Sequence, residues 1–270
     1  MKLKTSVRRM EGPGGRMKLI VLEPKERKGL LPGILWIHGG GYMTGMAAMG
    51  RFTMGKELAK HYGAVVLSPG YRLSWQAAYP AALEDCYAAL EYLWHHAEEL
   101  GVDRKRILVG GESAGGGLAA AVCLCARDRG EIPVVLQIPL YPMLDCRDTD
   151  SSRHNHALGW GTWRNHLGWR MYLRDLYRSE QVPSYASPSR ETDYSGLPPC
   201  YTYVEDGEPF RDETLAYIAR LKEAGVEAHA DVYHGNVHAF DMYLWPTKNA
   251  RDARQKLIRA AGKYLGEEKT

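Results

Sequence analysis

The run Arg106-Ile107-Leu108-Val109-Gly110-Gly111-Glu112-Ser113-Ala114-Gly115-Gly116-Gly117-Leu118-Ala119-Ala120-Ala121 decides how this chain folds. Its first half is apolar without polar alternation, as expected of a strand covered on both faces. Its second half reads as a helix over 115–128. The bend between them is so tight that residues two before and two after Ser113 have no room for a side chain, and glycine stands at 111 and 115. Ser113 then projects from the carboxyl end of the strand beside a helix N-terminus that favours negative charge. A GxSxG pentapeptide is common by chance; the strand–turn–helix setting makes Ser113 a candidate nucleophile. A phosphate-cradling loop would need GxGxxG or GxxxxGK[ST], and neither is present.

Outward from this stretch, short β-rich runs alternate with longer helical patterns, the signature of an α/β fold around a mostly parallel sheet with helices on both faces. Eight strands are predicted, at 4–10, 16–22, 33–37, 64–67, 106–109, 134–139, 200–205 and 227–233. The first two flank Glu11-Gly12-Pro13-Gly14-Gly15 and read as an antiparallel hairpin. Helices are predicted at 53–61, 80–100, 212–224 and 249–265 as well. Residues 145–197 break the alternation: they hold no clear strand, carry Trp160, Trp163 and Trp169, and have helix-like spacing over 161–177. An insertion of this length reads as a small helical cap before the strand at 200–205, the alternative being a satellite bundle that only packs. The expected division is a core of 1–144 and 198–270 with a cap of 145–197.

The 270 residues can bury a sizeable core, and 45% apolar with 25% charged residues excludes wholesale disorder. Lys and Arg total 35 against 32 Asp and Glu, a net +3 that predicts no nucleic-acid or membrane-surface partner. No uninterrupted apolar run reaches the roughly 18 residues of a membrane span. The first nine residues are basic with no apolar stretch after them, so no secretory signal is expected. Five cysteines, at 86, 123, 125, 146 and 200 with no CxxC pair, argue against a disulfide framework or zinc site and for a reducing, cytoplasmic setting.

A second glycine-rich motif, His38-Gly39-Gly40-Gly41, directly follows the strand at 33–37. Three glycines let the backbone turn several N–H groups toward one point, which is what stabilising a tetrahedral oxyanion requires. The amides of Gly40, Gly41 and Ala114 are the candidate donors, each worth about 3 kcal/mol in a transition state. By itself this tetrad could be a flexible turn; two strand ends aimed at one crevice favour the functional reading.

With these motifs the chain resembles the hormone-sensitive-lipase branch of the α/β-hydrolase fold, the carboxylesterases bearing HGGG and G[DE]SAG. The resemblance extends through Gly70-Tyr71-Arg72-Leu73, Tyr79-Pro80-Ala81-Ala82-Leu83-Glu84-Asp85, Ala186-Ser187-Pro188 and Leu197-Pro198-Pro199, over roughly residues 17 to 265. It implies a serine esterase that needs no metal or organic cofactor and acts on a small-molecule ester. It also implies the chain order serine, acid, histidine. Of ten histidines, His238 in the loop His234-Gly235-Asn236-Val237-His238-Ala239-Phe240 matches the family's catalytic position; His234 is its rival. The family places an aspartate before a proline in the acid loop. This chain departs from that, with Glu208 before Pro209; Asp206 is the alternative, and Asp212 reads as a helix N-cap.

Other expectations concern specificity and neighbours. Glu112 is expected to point away from the crevice, near Tyr71 and Arg72. Trp75, Trp160, Trp163 and Trp169 are candidate apolar walls of the pocket. In this family much of the cap comes from helices ahead of the first strand. Here that strand is expected at about Lys4, so a reduced lid, an open mouth and a preference for acetyl to hexanoyl esters are expected. An arylformamidase or other amidase, or a carbohydrate acetylesterase, would use the same apparatus. A non-catalytic ligand-binding relative is the remaining alternative. Pairing of two copies through the edge strand from Glu227 to Tyr233 is the expected route to a homodimer.

Overall fold

The computed structural model describes residues 1–266. Its strands are β1 (Leu3–Gly12), β2 (Gly15–Pro24), β3 (Leu31–Ile37), β4 (Val65–Pro69), β5 (Val102–Glu112), β6 (Leu136–Leu140), β7 (Cys200–Glu205) and β8 (Ala228–Tyr233). They form one sheet in the order β1-β2-β4-β3-β5-β6-β7-β8. β2 runs antiparallel to both of its neighbours, and the pairings from β4 to β8 are parallel.

Successive side chains of a strand point to opposite faces, so each central strand feeds two apolar layers. Leu35 and Ile37 join one layer with Leu90 and Leu93 of α2 (Ala81–His95), after α1 (Met54–Tyr62) and before α3 (Ala97–Leu100). The same layer takes Leu118 and Val122 of α4 (Ala114–Arg129). Ile34 and Trp36 join the other, with Leu58 of α1 and, at the end of the chain, Leu257 and Leu265. Each such side chain buried in full contributes about 1.5–3 kcal/mol.

Two expected elements differ. The helix expected over 80–100 is interrupted at His96, where φ −97° and ψ 17° leave the helical region and divide it into α2 and α3. The strand expected at 106–109 is the middle of the longer β5, whose polar start Asp103-Arg104-Lys105 hides it from an apolar pattern.

The segment between β6 and β7 carries α5 (Asp150–Arg153), α6 (Thr162–Leu173) and two short 3-10 turns. It is tied to the loops at the ends of β7 and β8. The Ser151 amide donates to the Asp212 carboxylate (2.7 Å), Ser151 Oγ to the Pro209 carbonyl (2.8 Å), and Asn155 Nδ2 to the Gly207 carbonyl (2.9 Å). Asp212 is therefore not the N-cap of α7 (Arg211–Glu223); Phe210 holds that position, and the Asp212 carboxylate crosses to α5. Leu158 exchanges backbone hydrogen bonds with Asn236 and His238, both 3.0 Å. The chain closes with α8 (Phe240–Tyr243) and α9 (Lys248–Leu265). Among the described residues no helix is long and apolar enough to cross a membrane.

Candidate active site

The register of the sheet places Ile37, last of β3, beside Gly111 of β5. The loop from His38 therefore starts next to the bend at Ser113. Ser113 adopts φ 57° and ψ −121°, a strained conformation for a residue with a side chain. Its amide donates to the Leu140 carbonyl (2.9 Å), and its carbonyl accepts from Met143 and Gly117 (3.0 Å each). A Cβ on Gly111 would lie 2.4 Å from the Gly115 carbonyl oxygen, and one on Gly115 2.2 Å from that of Ile37. Both glycines are required by close approach.

His238 lies beyond β8 and faces this bend. Its Nε2 lies 2.8 Å from Ser113 Oγ, and its Nδ1 is hydrogen-bonded to Glu208 Oε2. Glu208 is fully buried, while Ser113 and His238 are 6% and 5% exposed. The other oxygen of Glu208 accepts from the Glu205 amide (3.3 Å). Burial pushes the Glu208 carboxyl above its ordinary range, although the imidazole facing it pulls the other way. The rings of Tyr141 and Phe210 meet the His238 ring at 79° and 75°, with centroids 5.1 Å away in each case. Phe210 follows Pro209 in the acid loop, whereas Tyr141 carries no sequence signal beyond being aromatic after a strand.

The rival residues form a separate pair. Asp206 accepts from His234 Nδ1 (2.9 Å) and from the Gly235 amide (3.0 Å), with the His234 side chain 97% exposed. Neither touches Ser113.

The glycine loop is held from behind. His38 is fully buried, stacks on Tyr71 at 4.2 Å, and donates from Nδ1 to the Gly39 carbonyl (2.8 Å). Burial lowers its pKa to about 4, so it is neutral at pH 7. Tyr71 donates to the His38 carbonyl (2.9 Å). Among the described residues the amides of Gly40, Gly41 and Ala114 meet no acceptor, which leaves them available to an oxyanion. Glu112 does point away from the bend, but its partners are Trp36 Nε1, which donates to it at 2.7 Å, and the Met54 amide.

The four tryptophans separate. Trp160 lies over the glycine loop, its ring 1.9 Å from where a Cβ on Gly41 would sit, and 6.3 Å from the His238 centroid. Trp169 is instead a core residue, 1% exposed and packed against Tyr42 and Tyr172. Trp75 is 61% exposed above a groove of about 280 Å³ that it shares with Met46 and Tyr71. Trp163 is 74% exposed and lines an open cavity of about 670 Å³ within 153–166. Helical spacing marks these rings as apolar without saying which side of the segment faces Ser113. Trp160 and the backbone pairing of Leu158 with Asn236 and His238 border the site.

Residues 34–242 match the family described as the alpha/beta hydrolase fold. Carboxylesterase NlhH of Mycobacterium tuberculosis is 32% identical over 87% of this chain and 74% of its own length. An ethyl acetate hydrolase of Pseudomonas putida is 29% identical over 77% of this chain and 65% of its own. Among solved structures, a bacterial heroin esterase superposes with a TM-score of 0.93 at 35% identity, covering 98% of this chain and 85% of that one. The chain belongs to the hormone-sensitive-lipase-like carboxylesterases of the α/β-hydrolase fold. It is an ester hydrolase.

Proposed function

We propose that Ser113 is the nucleophile of this esterase, His238 its general base and Glu208 the acid that orients the imidazole. One observation carries the assignment: His238 bridges Ser113 Oγ and the buried Glu208 through its two ring nitrogens. Nε2 takes the hydroxyl proton as Oγ attacks the ester carbonyl, and the oxyanion forms against the amides of Gly40, Gly41 and Ala114. The imidazolium then protonates the departing alkoxide, leaving an acyl-enzyme on Ser113. Water attacks the acyl carbon by the same route, releasing the acid and restoring the hydroxyl. Glu208 stays ionised and fixes the tautomer that carries its proton on Nδ1.

The preferred substrates are short-chain esters. Trp160 over Gly41 supports this reading by limiting the space beside the reacting carbon, as does the likeness to a relative named for ethyl acetate. In this reading residues 145–197 act as the cap, since their Leu158 and Trp160 reach the histidine loop and the glycine loop. The protein works in the cytoplasm with its five cysteines free, and without a nucleic-acid partner. Two copies pair through β8, one of the two outer strands of the sheet, on which Val232 is 48% exposed. A p-nitrophenyl ester series tests the substrate class: kcat/KM should peak between acetyl and hexanoyl, and a rise continuing to palmitoyl overturns it. N-formylkynurenine and acetylated xylan, run beside the best aryl ester, should be turned over far more slowly.

A further inference from the structure

The reaction leaves several buried carboxylates without a task, and Asp241 is the one hydrogen-bonded to a ring that meets His238. Asp241 is 2% exposed and sits three residues after His238, at the start of α8. Both of its oxygens are claimed by phenols: Tyr141 OH donates to Oδ1 at 2.8 Å and Tyr203 OH to Oδ2 at 2.7 Å. A carboxylate that accepts at both oxygens is matched in its ionised form. Tyr141, just past β6, also sets its ring edge-to-face against the His238 imidazole. Tyr203 comes from β7, the strand leading into the Glu208 loop. One carboxylate thus joins the chain after β6, the strand β7 and the turn that carries His238.

We infer that Asp241 is a positioning residue for the hydrolysis: through Tyr141 and the first turn of α8 it fixes the His238 ring between Ser113 and Glu208, and its buried charge favours the imidazolium formed in each step. This rests on the assignment of Ser113, His238 and Glu208 proposed above.

The surroundings give that charge a long reach. Facing Asp241 are Glu112 at the end of β5, Tyr141, Tyr203, Glu208 before α7, and Arg254 on α9 as the cation. Burial raises the Asp241 carboxyl above its ordinary range, while the two phenols and Arg254 draw it back toward ionisation. Its charge in turn raises the carboxyls of Glu208 and Glu112. Buried charges are screened far less than exposed ones. Removing this one therefore withdraws a negative charge that favours the positively charged state of the site formed in each step, and the acidic limb of the pH–rate profile should move to lower pH.

The test is the pH dependence of p-nitrophenyl acetate hydrolysis by the wild type, Asp241→Asn, Tyr203→Phe and Ser113→Ala. Asp241→Asn keeps the size of the side chain but not its charge. Its kcat should fall about tenfold with KM within about twofold, and the acidic limb should drop by about half a pH unit. Tyr203→Phe keeps Asp241 and removes one donor at a ring that does not touch His238; it should show a smaller shift in the same direction. A merely structural role would lower the melting temperature and leave the limb where it is. An unmoved limb and unchanged kcat in a folded Asp241→Asn overturn the inference. If that variant does not fold, an unmoved limb and unchanged kcat in Tyr203→Phe overturn it. Activity persisting in Ser113→Ala would instead remove the assignment on which the inference rests.

Discussion

The choice of acid turns on one methylene. The family slot before Pro209 holds a glutamate here, and the longer side chain still reaches His238 Nδ1 from a fully buried position. Asp206, the sequence alternative, is committed to His234 and the Gly235 amide at the surface. Replacing Glu208 by Gln should therefore lower kcat by about 10³- to 10⁴-fold, because the wrong tautomer is then favoured. Asp206→Asn should leave kcat within about twofold. Steady-state rates on one aryl ester read both; an intact Glu208→Gln with a crippled Asp206→Asn would reverse the assignment. The residue scale also shows why Glu208 is harder to read than Ser113. The bend at 113 announces itself through glycines that sterics require, whereas five carboxylates crowd residues 205–213, three of them buried, and only the contact with His238 singles out Glu208.

At the scale of elements, the segment between β6 and β7 does more than cover. Its α5 bonds to the acid loop through Ser151 and Asn155, and Leu158 pairs with the stretch of chain that delivers His238. Nothing in a one-dimensional pattern of apolar residues predicts these backbone exchanges, since they join positions about 80 residues apart. The pattern does mark the segment as an interruption of the strand–helix alternation. Trp160 is the single tryptophan of this segment that reaches the glycine loop. Trp160→Ala should therefore shift the p-nitrophenyl ester series toward longer chains, raising the octanoyl-to-acetyl ratio of kcat/KM about tenfold. The same change at exposed Trp163 should leave the ratio unaltered. Equal ratios in wild type and Trp160→Ala would mean that the acyl chain lies elsewhere.

Across the whole molecule, the central parallel strands and the two helical layers are legible because two-sided burial writes itself as uninterrupted apolar runs, whereas the largely exposed β1 is legible from the glycine-rich turn that joins it to β2. The polar start of β5 and the break at His96 are not, since neither depends on apolar spacing. Also hidden are the buried charges. Glu112, Glu208, Glu213 and Asp241 are all fully or almost fully buried carboxyls whose proton affinity is raised by loss of solvent. For Glu112 the value rises from 4.5 to about 8, opposed by the hydrogen bond from Trp36. The folded state then holds this proton more tightly than the unfolded chain does. The resulting stability is full below pH 4.5 and is lost as pH rises through 8. Thermal melts should show the wild type losing about 4 °C or more between pH 6 and 9 relative to Glu112→Gln, which keeps an acceptor for Trp36 and has no proton to lose. Parallel curves would mean that Glu112 is already ionised at pH 6.

All of these expectations depend on one hydroxyl being activated by one imidazole. Labelling with a fluorophosphonate and then peptide mapping addresses that directly. A single adduct on Ser113, formed by the wild type and lost in His238→Ala, is the expected result. An adduct on another serine, or undiminished labelling of Ser113 without His238, would contradict it.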